Sequence, residues 1–125
     1  NTRKTLFADF IRLKPHVKLM VDIRMNMMDG RIYWINPTNY RHIKLWEAAS
    51  NYTDEVAEVS PWGTPISLGP TSGIFANLAV NGFMRAMWDM DMAVPHKHEK
   101  LKIEAPPQEA TVCLNPNFVV IEQSV

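Results

Sequence analysis

Apolar and polar residues alternate near the start of the chain. From Val17 to Met27 every second residue is apolar, and most of those between are polar or charged, which predicts a strand with one buried face. Asp29-Gly30 follows, a dipeptide that favours a tight two-residue hairpin turn. Residues 32–35 are β-branched or aromatic and end at Asn36-Pro37, which predicts a second strand. We therefore predict a β-hairpin over residues 17–36.

A two-residue turn also predicts the register of this hairpin. With Asp29-Gly30 as the loop, Met28 faces Arg31, Met27 faces Ile32, Asn26 faces Tyr33 and Met25 faces Trp34. The face predicted to be buried carries Ile23, Met25, Met27, Ile32 and Trp34. The second face carries Arg24, Asn26, Met28, Arg31, Tyr33 and Ile35.

A helical period begins at Ser72, a residue that can cap a helix, and Pro95 stops it, so we predict a helix over about residues 72–94. The face predicted to pack on the core carries Phe75, Ala79, Val80, Phe83, Ala86, Met87 and Met90. A polar stripe of Asn77, Asn81, Arg85 and Asp89 lies opposite, flanked by the apolar residues Ile74, Leu78, Met84, Trp88 and Met92. The predicted outer side is therefore unusually apolar for a helix that faces water.

The remaining segments are shorter. Asn39 to Ser50 predicts a short helix capped by Asn39, although residues 41–46 also fit a continuation of the sheet. The proline- and glycine-rich run from Ser60 to Pro70 predicts a loop. After Pro95 we predict short strands at residues 101–105, 111–114 and 118–122. The predicted fold class is α+β: an antiparallel sheet led by the N-terminal hairpin, with the long amphipathic helix packed on it and short C-terminal strands.

Length and composition fit one domain over residues 1–125. The chain has 125 residues, of which 46% are hydrophobic and 21% charged, so it can build a core without disulfides. Its single cysteine, Cys113, is predicted to be a small buried residue in a strand. Since the sequence begins with Asn1, we expect a processed chain or a fragment. The apolar stretch from Gly73 to Met84 has 12 residues before Arg85 and is too short to cross a bilayer.

The charge is unevenly distributed, although the net charge is zero. Residues 1–46 hold nine Lys and Arg against three Asp, a charge of +6, and residues 47–125 hold four against ten, a charge of −6. Such an asymmetry suggests either an anionic partner for the first half or neighbouring subunits that pair plus with minus. The alternative is that folding mixes the two halves into a neutral surface.

Cations and aromatic residues interleave in the basic half, as single-strand nucleic-acid binders require. This set comprises Arg31, Tyr33, Trp34, Arg41, His42, Lys44 and Trp46. Because Trp34 lies on the predicted core face, Tyr33 is the aromatic residue of the hairpin left to stack on a base. The predicted nucleic-acid contacts are Arg31, Tyr33, Arg41 and Lys44.

Signals for catalysis are weak. His96-Lys97-His98-Glu99 resembles part of a metal site, but zinc takes three or four ligands and the chain shows no recognisable spacing for the others. Cys113 lies in a predicted buried strand, where thiols are inert. Gly69, Gly73 and Gly82 do not have the spacing of a phosphate-binding loop. We therefore predict no enzyme, metal or cofactor, and keep a small metal-dependent enzyme as the second alternative.

The hairpin also carries a resemblance to a known family. The stretch from Val17 to Pro37, with its long alternating strand, Gly30-Arg31 and an aromatic strand ending in proline, looks like an adjacent strand pair in picorna-like jelly-roll coat proteins. It covers about a sixth of the chain. The long helix departs from a minimal jelly roll, so no residue role is transferred.

The surplus of apolar side chains leads to a functional hypothesis. We expect a non-enzymatic structural subunit of a large complex, such as a virion shell or an organellar assembly, that contacts other protein subunits. A nucleic-acid-binding module that uses residues 1–46 is the first alternative. Trp88 is the predicted anchor of the partner-facing surface, because tryptophan is frequent at interface hot spots. The predicted partner-facing residues are Tyr33, Ile35, Ile74, Leu78, Met84, Trp88 and Met92.

Overall fold

One four-stranded antiparallel sheet organises the protein, with the strands in the order β1-β2-β3-β4. A computed structural model describes residues 2–9, 11, 14, 16–49, 69–90 and 103–125. Its elements are α1 (Thr2–Asp9), β1 (Met20–Met25), β2 (Asp29–Ile35), α2 (Tyr40–Ala48), α3 (Gly69–Asp89), β3 (Glu109–Cys113) and β4 (Val119–Gln123). Each strand pairs with the next one along the chain, so the sheet is a simple meander.

The predicted fold class is confirmed. The chain is α+β, the long helix α3 packs on the antiparallel sheet, and two short strands follow it. The prediction of a strand at residues 101–105 is wrong for residues 103–105, which have no regular structure, while residues 101 and 102 lie outside the described residues. The described part of the chain holds one sheet of four strands, whereas a jelly roll packs eight strands in two sheets.

The predicted hairpin register is wrong by four residues. Met25 pairs with Gly30 and Ile23 with Ile32, so the loop spans residues 26–28, and both Asp29 and Gly30 belong to β2. The Asn26 amide donates to the Asp29 carbonyl over 2.8 Å and closes this loop. Gly30 lies against the backbone of β1 and the ring of Phe75, where a Cβ would overlap both. Because the error is an even number of residues, both strands keep the faces that the alternation predicts.

Each face of the sheet covers its own core. On the first face, α3 packs on a cluster of Ile32, Trp34, Phe75, Ala79, Ala110 and Val112, supported by Leu19, Ile23, Leu78, Leu114 and Val120. On the second face, α1 and α2 cover a cluster of Phe7, Tyr33, Ile35 and Trp46. The rings of Phe7 and Trp46 meet at a centroid distance of 5.4 Å. The hairpin is therefore sandwiched between helices, while none of the described helices covers the β4 side of the second face.

The ambiguous segment after the hairpin is helical. Asn39 has extended backbone angles, and its side-chain oxygen accepts from the amides of Arg41 and His42, which caps α2. His42 Nδ1 accepts a 2.9 Å hydrogen bond from the Asn36 amide, so the first turn of α2 also holds the end of the hairpin. This local chemistry directs Trp46 inwards onto the second face.

Candidate functional site: the exposed side of the long helix

The buried side of α3 carries one large residue, Phe75, and is otherwise lined by small ones. Its buried positions are Thr71, Phe75, Ala79, Gly82 and Ala86. The indole of Trp34 lies directly against Gly82, where a Cβ would overlap the ring. This close approach lets Trp34 Nε1 donate to the Ala79 carbonyl over 3.1 Å. At the other end, the Thr71 hydroxyl donates to the Met27 carbonyl over 2.7 Å, which fixes the rotation of the helix on the sheet.

This rotation corrects the predicted core face of α3. Phe75, Ala79 and Ala86 are buried as predicted, but Val80, Phe83 and Met90 are exposed. The prediction gave weight to large apolar side chains, whereas the Trp34 ring selects the stripe on which it can approach the backbone. The exposed surface of α3 consequently presents a run of apolar residues at helical spacing, Val80, Phe83 and Met84 together with Ala76, beside the exposed Asn77 and Asn81.

This exposed side is also free of charge over most of its length. From Gly69 to Met84 the helix has no ionisable side chain. The first one, Arg85, turns away to donate to the carbonyls of Glu104 and Ala105 and lies 3.6 Å from Glu122. Among the described residues no helix combines the length and hydropathy that a membrane span requires. A water-facing helix normally carries charges on its outer side, so this surface is a candidate contact for another molecule.

The residues predicted to face a partner divide into four groups. Tyr33 and Ile35 are 0% exposed, because α1 and α2 cover them, so the prediction that they form outer surface is corrected. Ile74, Leu78 and Trp88 are half-buried, and Leu78 packs against the core. Met84 is 64% exposed. Met92 lies outside the described residues.

A polar cluster centred on Asp22 holds α1 and α2 on the second face. The Asp22 carboxylate accepts from Arg3 at 2.7 Å and from Trp46 Nε1 at 2.8 Å, and lies 2.9 Å from Arg24. Partial burial alone raises the pKa of Asp22, but the hydrogen bonds from Arg3 and Trp46 and the two guanidinium charges lower the pKa below its ordinary value. Arg24 also caps the end of α2 by donating to the Ala49 carbonyl. The cluster joins three elements and has a structural role.

Tyr33 is the centre of this second face. The Arg24 guanidinium stacks over its ring at 4.8 Å from the centroid. Its hydroxyl is near Glu109 and Arg31 but forms no hydrogen bond of standard geometry, although it is buried. Burial raises the pKa of Tyr33 to about 12, with Glu109 adding to the rise and Arg31 opposing it. A phenol with this pKa stays protonated at neutral pH and is a poor general base.

The predicted nucleic-acid contacts lie on two separate elements. Arg31 is exposed on β2, while Arg41 and Lys44 are exposed on α2. Buried Tyr33 cannot stack on a base, but Tyr40 on α2 is 70% exposed, and Lys44 Nζ lies 5.0 Å from the centre of its ring. Sequence reasoning missed Tyr40. Tyr40 and Lys44 are four residues apart on a helix capped at Asn39, and this spacing predicts that they share one face of the helix.

Among the described residues, the candidate catalytic side chains are not brought together into one site. No group of three or more His, Cys, Asp and Glu side chains within the described ranges could hold a metal ion. His96, His98 and Glu99 lie outside those ranges. Cys113 was predicted to be buried; it is half-buried, with Sγ 3.2 Å from the Asn115 carbonyl oxygen, and its neighbour Val112 fills the core instead.

In comparisons with known proteins, no protein-family model, no curated protein and no solved structure matches the chain.

Proposed function

We propose that this protein is a non-enzymatic structural subunit that binds a partner protein of a larger assembly through the exposed side of α3. The observation that carries the proposal is the run of Val80, Phe83 and Met84 on a helix surface that has no charge from residue 69 to residue 84. Apolar patches of this kind favour contact with another protein, because burying them removes apolar area from water.

The two sides of α3 have different roles. Trp34, Gly82 and Thr71 lock its inner side to the hairpin through close packing and two hydrogen bonds. The helix is therefore held rigidly while its outer side remains available. A rigid surface favours binding because little side-chain and backbone freedom is lost when the partner docks.

Substitution of one exposed aromatic residue tests the proposal. The native protein is isolated under mild conditions, its co-purifying partner is identified by mass spectrometry, and the binding of the two purified proteins is measured by calorimetry. Phe83→Lys should weaken binding by about 30-fold or more, the size of an interface hot spot, because a charge would enter an apolar contact. The melting temperature should stay within about 2 °C, since exposed substitutions change stability little.

Leu6→Lys is the matched control, because it places the same charge at an exposed apolar position on α1. It should leave binding unchanged. If no protein accompanies the native chain, or if Phe83→Lys binds its partner as tightly as the unsubstituted protein, the proposal is wrong.

A nucleic-acid-binding module is the second candidate. The exposed ring of Tyr40, with Lys44 stacked on it and Arg41 next to it, offers a base a stacking surface beside cations. Fluorescence anisotropy with a labelled single-stranded oligonucleotide tests this candidate. Affinity should fall steeply with salt, and Tyr40→Ala should weaken it by about 1–3 kcal/mol. An absence of binding at low salt would exclude this function.

A further inference from the structure

The two edges of the sheet differ in how they are protected. At the β1 edge, Arg3 reaches across from α1, donates to the backbone carbonyl of Ile23 over 3.1 Å and pairs with Asp22. At the other edge, no described residue pairs with β4 beyond its contact with β3. An edge strand presents a row of backbone donors and acceptors that selects another extended strand as its ligand.

The composition of β4 leaves that edge open. Val119–Gln123 has neither the lysine nor the proline that natural edge strands use to prevent pairing. Val119 is 44% and Ile121 is 62% exposed on the face that α1 and α2 leave uncovered. The one ionisable residue of the strand, Glu122, already has its own Arg85 at 3.6 Å. α3 lies mainly over β1 and β2, and no strand or helix of the described residues pairs with the outer edge of β4.

We propose that β4 pairs antiparallel with β4 of a second copy, around a two-fold axis at Val120, and joins the two sheets into one of eight strands. This axis, perpendicular to the sheet, places Val120 opposite its own copy and Val119 opposite Ile121 of the partner copy. Both are β-branched cross-strand pairs, which stabilise a sheet. Glu122 then lies opposite Phe118, so no like charges meet.

The sequence disfavours both neighbouring registers. An axis at Val119 would place the β-branched Ile121 opposite the polar Asn117. An axis at Ile121 would place Val120 opposite Glu122 and Val119 opposite Gln123, so apolar side chains would face polar ones. The net charge of zero adds no repulsion between two copies. Because two identical β4 strands place apolar residues opposite apolar residues, a second copy of this chain is the favoured partner for the β4 edge. This inference rests on β4 and is independent of the partner proposed for α3.

Two double variants test the register. In Val119→Lys/Ile121→Lys, each lysine lies opposite a lysine of the other copy, so pairing should be lost. In Val119→Glu/Ile121→Lys, each glutamate lies opposite a lysine, so pairing should be restored. Analytical ultracentrifugation should give twice the 14.3 kDa of one chain for the unsubstituted protein and for the Glu/Lys variant, and a single chain for the Lys/Lys variant. Leu6→Lys, with its added charge on α1, should remain a dimer.

The following outcomes would overturn the proposal. An unsubstituted protein that stays monomeric across the concentration range shows that β4 does not self-pair. A Lys/Lys variant that still dimerises places the interface elsewhere, and a monomeric Glu/Lys variant excludes the axis at Val120. If circular dichroism shows that either variant fails to fold, hydrogen exchange of the unsubstituted protein decides. Amides of residues 119–123 should exchange more slowly at high than at low protein concentration, and equal rates would refute the pairing.

Discussion

Replacement of Gly82 by alanine provides a direct test of how α3 packs. In an ordinary helix interior, Gly→Ala stabilises by about 1 kcal/mol, because alanine loses less backbone entropy on folding. At Gly82 the added Cβ would overlap the rigid indole of Trp34. Overpacking of this kind costs about 1–3 kcal/mol, and displacement of the ring would also break its hydrogen bond to the Ala79 carbonyl, which is worth about 1 kcal/mol. The net expectation is a loss of about 1–3 kcal/mol.

Gly73→Ala is the matched control on the same helix. A Cβ at Gly73 meets nothing within 4 Å, so only the gain in helix propensity remains. We expect this variant to be about 1 kcal/mol more stable than the unsubstituted protein. Urea unfolding followed by circular dichroism measures both free energies. In thermal unfolding, the expected shifts are a rise of about 4 °C for Gly73→Ala and a fall of about 4–12 °C for Gly82→Ala.

A double-mutant cycle separates the overlap with Trp34 from other effects. Trp34→Phe presents a smaller ring, so Gly82→Ala should cost at least about 1 kcal/mol less in that background than alone. If Gly82→Ala is as stable as Gly73→Ala, the indole does not lie against the helix backbone. The assignment of Val80 and Phe83 to the exposed side would then fail as well.

The polar groups around the hairpin give three further predictions, each measured by urea unfolding. Asp22→Asn should cost about 2–3 kcal/mol, because Arg3 and Arg24 would lose their shared carboxylate. The pKa of Asp22 is lower in the folded than in the unfolded protein. Its contribution to the free energy of unfolding should therefore be complete above the unfolded pKa of about 3.9 and be lost as the pH falls through the folded pKa. Asp22→Asn should not show this loss. Tyr33→Phe should leave stability unchanged or raise it by up to about 1 kcal/mol, since it removes a buried hydroxyl without a hydrogen bond; a larger loss would show that the hydroxyl is bonded. Burial lowers the pKa of His42, so stability should decline as the pH falls from about 6.5 through the folded pKa, and His42→Ala should abolish this decline.

Local patterns in the sequence determined the class of the fold. Alternation from Val17 and the β-branched and aromatic run before Asn36 required a hairpin, because only a strand places every second side chain on one face. Asn39 determined the start of α2 through its side-chain cap. The helical period required α3, although this helix begins at Gly69 and not at the predicted cap Ser72. Each of these signals acts within one or two turns or strands, so each could be read from the chain alone.

Tertiary packing decided the register and the choice of buried surface. Asp29-Gly30 favoured a two-residue turn, but Gly30 is taken into β2 because only glycine fits beneath Phe75, 45 residues away in sequence. The period of α3 fits more than one buried side, and the ring of Trp34 selects the side with Gly82. Tyr33 and Ile35 are buried by α1 and α2, whose docking depends on the ion pairs of Asp22. These outcomes depend on shapes that meet across long sequence separations, which periodicity and local turn chemistry do not encode.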